Sequence, residues 1–174
     1  MTSSHPCATA WQAIKALEFR DWYGLPMECT YGDLESEFKR FRDEYGQGGL
    51  GRKHVITRYR IHLAEGYAHH LKVYFRQEHI ALIQIEYPAL PYAAVDLLQR
   101  LGPPEFELDY HREVMPVPKG AWVYPARGLT LFLDAGRSAI MGIGLFHPCH
   151  LAEYLDDIHP DTRMSELPLR AFEQ

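Results

Sequence analysis

His147, Cys149 and His150 crowd into "HPCH", and His69, His70 and His79 flank a run of alternating residues. A thiol between imidazoles and ahead of a helix has the makings of a nucleophile, because a helix N-terminus lowers a thiol pKa. Cys149 is therefore the candidate nucleophile. Spacing identifies no acid to orient it, since Asp21, Glu105 and Asp134 are scattered. His147 and His150 read equally as a loop entry and a helix N-terminus. Zinc requires about four N or S ligands, usually at spacings such as C-x-x-C or H-x-x-x-H. Neither spacing occurs, and neither does G-x-S-x-G nor a P-loop lysine. No metal and no cofactor are expected.

A second motif is "YGQGGLGRKH", Tyr45 to His54, which spells G-x-G-x-x-G. A dinucleotide fingerprint follows a strand and opens a helix, whose N-terminus then faces the pyrophosphate. Here the order reads in reverse, with a helix ending at Gly46 and a strand starting near His54. A helix C-terminus carries partial negative charge and repels phosphate. Arg52 and Lys53 keep an anion site open. The glycines are expected to form a flexible connector.

These residues need elements to place them. "ATAWQAIKAL" spaces Trp11, Ile14 and Leu17 as an amphipathic helix. In "YGDLESEFKRFRDEYG", Leu34, Phe38, Phe41 and Tyr45 share one helical face, with Asp33 as N-cap. "HVITRYRIHL", "HLKVYFR" and "IALIQIEYP" alternate with period two, as antiparallel strands with one wet side do. The pattern then restarts. "PYAAVDLLQRLG" reads as a helix with Val95, Leu98 and Leu101 inward. "AWVYP", "GLTLFLD" and "AIMGIGLFHP" read as strands, and "HLAEYLDDI" as a closing helix.

The two halves superpose in register. Ile80, Ile83, Ile85 and Pro88 meet Ile140, Ile143, Leu145 and Pro148, each 60 residues on. Leu71, Val73 and Phe75 meet Leu129, Leu131 and Leu133, each 58 on. The predicted fold class is α+β: two tandem helix–antiparallel β-meander repeats forming one curved sheet with helices on one face. Residues 1–29 form an N-terminal helix and link, 30–90 the first repeat, 91–158 the second, and 159–174 a surface tail.

The other sheet face is expected to be open. On its first half fall Arg58, Arg60, His62, His70, Lys72, Tyr74 and Arg76, and on its second Trp122, Tyr124, Phe132 and Phe146 beside Gly142 and Gly144. Aromatic and arginine-rich faces have the composition of interface centres. Coverage by the N-terminal helix or the C-terminal tail is the alternative. "PPEFELDYHRE" reads either as an acidic edge for a basic partner or as a solvated edge whose charges prevent aggregation.

Segments within "LGPPEFE…GAWVYPARGLTLFLDAGRSAI" resemble the repeats of β-lactamase inhibitor protein-like domains. The resemblance spans residues 30–158 as architecture and is specific over 101–145. It implies paired helix–meander units whose concave sheet face binds another protein. The second half also resembles uncharacterised bacterial proteins carrying "YP-RGL-L" and a closing "L-EY" helix.

Net charge is −5 and the pI about 6.0, a poor match for nucleic-acid backbones. The start of the chain lacks the pattern of a signal peptide, and no apolar run approaches a membrane span. Three cysteines, an odd number, suggest reduced thiols in a cytoplasm. The first functional expectation is a non-enzymatic protein-binding module, an inhibitor or antitoxin-like immunity protein that occludes a toxin or enzyme domain. Trp122, Tyr124, Phe132 and Phe146 would anchor the partner, with Tyr74 beside them, and Arg58, Arg60 and Lys72 would steer it. A small-ligand carrier or sensor with a pocket on the aromatic half is the alternative. An enzyme using Cys149, or His70 and His79, is the third reading.

Overall fold

Alternating strands cannot bury their apolar sides alone, and here they join into one antiparallel sheet. The computed structural model describes residues 6–34, 42–50, 54–62, 70–110 and 118–159, with only the backbone for Pro6, 42–50, 54–62 and His70. Strands β1 (Arg42–Leu50), β2 (His54–His62), β3 (His70–Arg76) and β4 (His79–Glu86) form one meander. Strands β5 (Phe106–Asp109), β6 (Gly120–Tyr124), β7 (Leu129–Leu133) and β8 (Ile140–Phe146) form another. They meet through their last strands, in the order β1-β2-β3-β4-β8-β7-β6-β5.

The first meander corrects the sequence reading. Tyr45–Leu50 is not the end of a helix and a loop but part of β1, with Gly46 opposite Arg58 and Gly49 opposite Val55. Residues 31–34 are helical, and Phe38 and Phe41 lie outside the described residues. Glycine gives weak strand propensity, so only pairing with β2 makes this segment a strand. Each meander therefore has four strands rather than three.

The rear of the sheet holds the main core. Leu71, Val73, Ile83, Ile85, Leu129, Leu131, Ile143 and Leu145 are buried there. Helix α1 (Pro6–Lys15) lays Trp11 and Ile14 on it, and helix α2 (Ala94–Leu101) adds Ala94, Leu97 and Leu101. Burying each large apolar side chain contributes about 1.5–3 kcal/mol. Val95, expected inward, is 52% exposed, because the buried stripe of α2 runs through Ala94, Leu97 and Leu101 instead.

Cys7 and Cys29 are joined by a disulfide with Cα atoms 5.5 Å apart, which overturns the expectation of reduced thiols. The link after α1 folds back over the sheet, and spacing alone could not have paired them. That link is held closely. The Trp22 indole donates to Gly128 O at 3.3 Å, and Leu25 N donates to Phe146 O at 2.9 Å. Gly128, at φ 61, permits this approach: a Cβ there would overlap the Phe146 carbonyl oxygen.

Helices do not keep to one face. A closing helix, Leu151–Glu153 running into a π-helical turn Tyr154–Ile158, lies on the front of the sheet. It forms a second core with Tyr74, Leu82, Leu108, Val123, Phe132 and Phe146. The C-terminal residues after His159 lie outside the described residues.

Candidate functional site

Register sorts the front face into rows of cross-strand partners. One row reads Arg58, Tyr74, Leu82, Phe146. The next reads Glu44, Arg60, Lys72, Gln84, Gly144, Thr130, Val123, Phe106. The third reads His62, His70, Glu86, Gly142, Phe132, Ala121, Leu108. Each row passes from basic positions on β2 to apolar ones on the second meander.

This register overturns the expected aromatic face. Trp122 pairs with Leu131 and Tyr124 with Leu129, so both belong to the rear core. Tyr124 donates its hydroxyl to Gly102 O at 3.0 Å, and burial pushes its pKa to about 12. All five residues of β6 are buried, so no polar side exists to reveal which way the strand faces. Phe132 and Phe146 do face front, but the closing helix covers them. The Phe146 ring lies 4.9 Å from that of Tyr154. The expected hollow at Gly142 and Gly144 is filled by the Phe132 ring. Tyr74 is buried in the same cluster. In the isolated chain, none of these five aromatics is available to anchor a partner.

The closing helix is fixed by a buried polar chain. The Thr130 hydroxyl donates to Tyr154 Oη at 2.8 Å, and Tyr154 Oη lies 2.9 Å from His159 Nδ1. His159 stacks against Tyr110 at 6.3 Å between centroids. Burial lowers the His159 pKa to about 4, so its imidazole is neutral at pH 7. Nothing in the sequence pattern marked this network, because Thr130, Tyr154 and His159 meet only through the fold.

The steering charges fare differently. Lys72 forms an ion pair with Glu86 at the margin of the covered region. Arg58 and Arg60 are placed by register alone, opposite Tyr74 and Lys72. At the sheet edge, Arg137 pairs with Glu107 and with Asp109, the latter at 2.7 Å. Two of the acids of "PPEFELDYHRE" are thus paired with Arg137 on the strand that ends the described sheet.

Cys149 is not an activated thiol. Burial, aided by Glu153, Glu105 and Asp157, pushes its pKa up to about 12. The benefit expected from a helix N-terminus is outweighed by desolvation and nearby carboxylates. Iodoacetamide at pH 7.5 should therefore alkylate Cys149 slower than a free thiol by on the order of a hundredfold or more. A rate equal to that of glutathione would restore it as a nucleophile.

His70 and His79 stand at opposite ends of the β3–β4 ladder and form no pair, whereas His79 and His147 line one open cleft of 540 Å³. Met27, Glu28, Arg76, Ile80, Ala81, Glu153 and Ile158 also line it. Sequence spacing missed this site because its walls come from the link, the β3–β4 hairpin, the end of β8 and the closing helix. Among the described residues, no group of three or more His, Cys, Asp or Glu is placed to hold a metal ion. His69, Arg52 and Lys53 lie outside the described residues. Comparison of the chain with protein-family models, with curated proteins and with solved structures finds no match in any of the three.

Proposed function

We propose that the chain is a non-enzymatic protein-binding module, an inhibitor or antitoxin-like immunity protein, that meets an acidic partner on the β2–β3 side of its front face. One observation supports this reading above the rest. Register sets Arg58, Arg60 and His62 opposite Tyr74, Lys72 and His70, next to the half of the face that the closing helix covers. Arg58, Arg60 and Lys72 outnumber the two acids set among them, Glu44 opposite Arg60 and Glu86 paired with Lys72, on a chain of net charge −5, and a local excess of that sign steers association. The aromatic anchors are withdrawn from the mechanism, so the interface would be mainly electrostatic.

A tagged chain is expected to hold its partner less tightly as salt rises. The Arg58→Glu/Arg60→Glu double variant should weaken capture at least about tenfold with its circular dichroism unchanged. Undiminished capture by the folded double variant, or a partner that is itself basic at the contact, would overturn the reading.

The two meanders are proposed to be tandem repeats, the architecture implied by the resemblance to β-lactamase inhibitor protein-like domains. In their support, Leu71 pairs with Ile85 as Leu129 pairs with Leu145, preserving the sequence offsets of 58 and 60. The ladder irregularity between Tyr74 and Phe75 recurs between Phe132 and Leu133. Gln84 and Gly144, 60 apart, face each other at the centre of the β4–β8 ladder. Such self-pairing is what a two-fold relation between the units produces. No helix among the described residues is long and apolar enough to cross a membrane. A cytoplasmic place of action now competes with an oxidising compartment, where bonds such as Cys7–Cys29 persist.

A further inference from the structure

We propose that the cleft between the β3–β4 hairpin and the closing helix binds a small organic monocarboxylate with an apolar body. The site is distinct from the protein-binding surface proposed above and stands independently of it. Arg76 supplies the main argument. Its Nη2 donates to Asp157 O at 2.8 Å, which fixes the guanidinium in the cleft wall. Its Nε is buried without an acceptor among the described residues. No carboxylate among the described residues pairs with it, although Glu28 and Glu153 line the same cleft. A half-buried guanidinium held this way is a prepared partner for a planar anion.

The rest of the lining narrows the ligand. Ile80, Ala81 and Ile158 provide an apolar wall, and Met27, 66% exposed, offers an adaptable thioether. His79 and His147 add imidazoles that can donate to the bound oxygens. Glu28 and Glu153 repel any anion that enters, a dianion about twice as strongly as a monoanion, so Arg76 must offset them and phosphate and dicarboxylates are disfavoured most. At 540 Å³ the cleft lies within the roughly 300–1,000 Å³ range of small-molecule sites. The ligand class is thus one carboxylate on Arg76 with its body over Ile80, Ala81 and Ile158.

The test is a titration of the nitrogen-15-labelled full chain with hexanoate, with hexanol and hexanedioate run in parallel. Hexanoate is expected to move the amide resonances of residues 76–81, 147 and 153, saturably. Hexanol and hexanedioate should bind roughly tenfold more weakly, as loss of one charge-assisted contact or an added repulsion implies. Arg76→Gln should weaken hexanoate by a similar factor. Ala81→Leu, which fills the cleft while keeping Arg76, should weaken it too, and serves if Arg76→Gln fails to fold. Absence of saturable shifts, shifts centred elsewhere, equal binding of hexanol, or unchanged affinity in the folded variants would each overturn the proposal.

Discussion

Trp122→Ala is expected to destabilise the chain by about 3–5 kcal/mol, the cost of removing a large buried aromatic without collapse of the space it leaves. Trp122 is 7% exposed and packs within the rear core, on the sheet face shared by Leu131 and Ile143. The loss should appear as a lower urea midpoint with little change in slope. It should be the same with or without any partner present. Had Trp122 stood on an open face, its removal would change stability by no more than about 0.5 kcal/mol and act on binding alone. A midpoint within that smaller margin would show that Trp122 lies on the front face of β6 and not in the rear core.

Acid should weaken the fold before most carboxylates titrate. His159 is buried neutral with a pKa of about 4, against about 6.5 in the unfolded chain. The unfolded chain therefore takes the proton first. Stability is fully present above pH 6.5 and falls as pH drops toward about 4, where the folded form also protonates. The loss over that window is roughly 3 kcal/mol for a shift of this size. Among the described residues, the rings packed around it are Tyr154, Tyr110 and Phe132, none of which carries charge at these pH values. Urea midpoints measured from pH 7 to 4.5 should decline steeply, and His159→Gln should flatten much of that decline. An equal slope in the variant would assign the acid sensitivity to other groups. Because His159 caps the π-helical turn that covers Phe132 and Phe146, its protonation is also expected to raise dye binding to the front face.

The alternation of β3 and β4 was legible from residue types. Leu71, Val73 and Phe75 face the rear as the polar residues between them required, and Ile83 and Ile85 do likewise. The same reasoning failed on β6, where both sides are buried and the alternating signal disappears. It failed on β1 because charged residues followed by glycines suggest a helix end, while backbone pairing with β2 overrides that local preference.

Local sequence thus determined which segments are apolar, where the polar sides of β3 and β4 lie, and that the chain alternates helices with antiparallel strands. Tertiary structure alone decided which aromatics are reachable. A closing helix only a few residues long covers Phe132 and Phe146. It also brings Glu153 and Ile158 to the cleft of Arg76, His79 and His147. Such contacts join residues more than 70 positions apart, as between Arg76 and Asp157. Periodicity is a property of neighbours along the chain, so it carries information about the side a residue faces but none about what comes to lie against it.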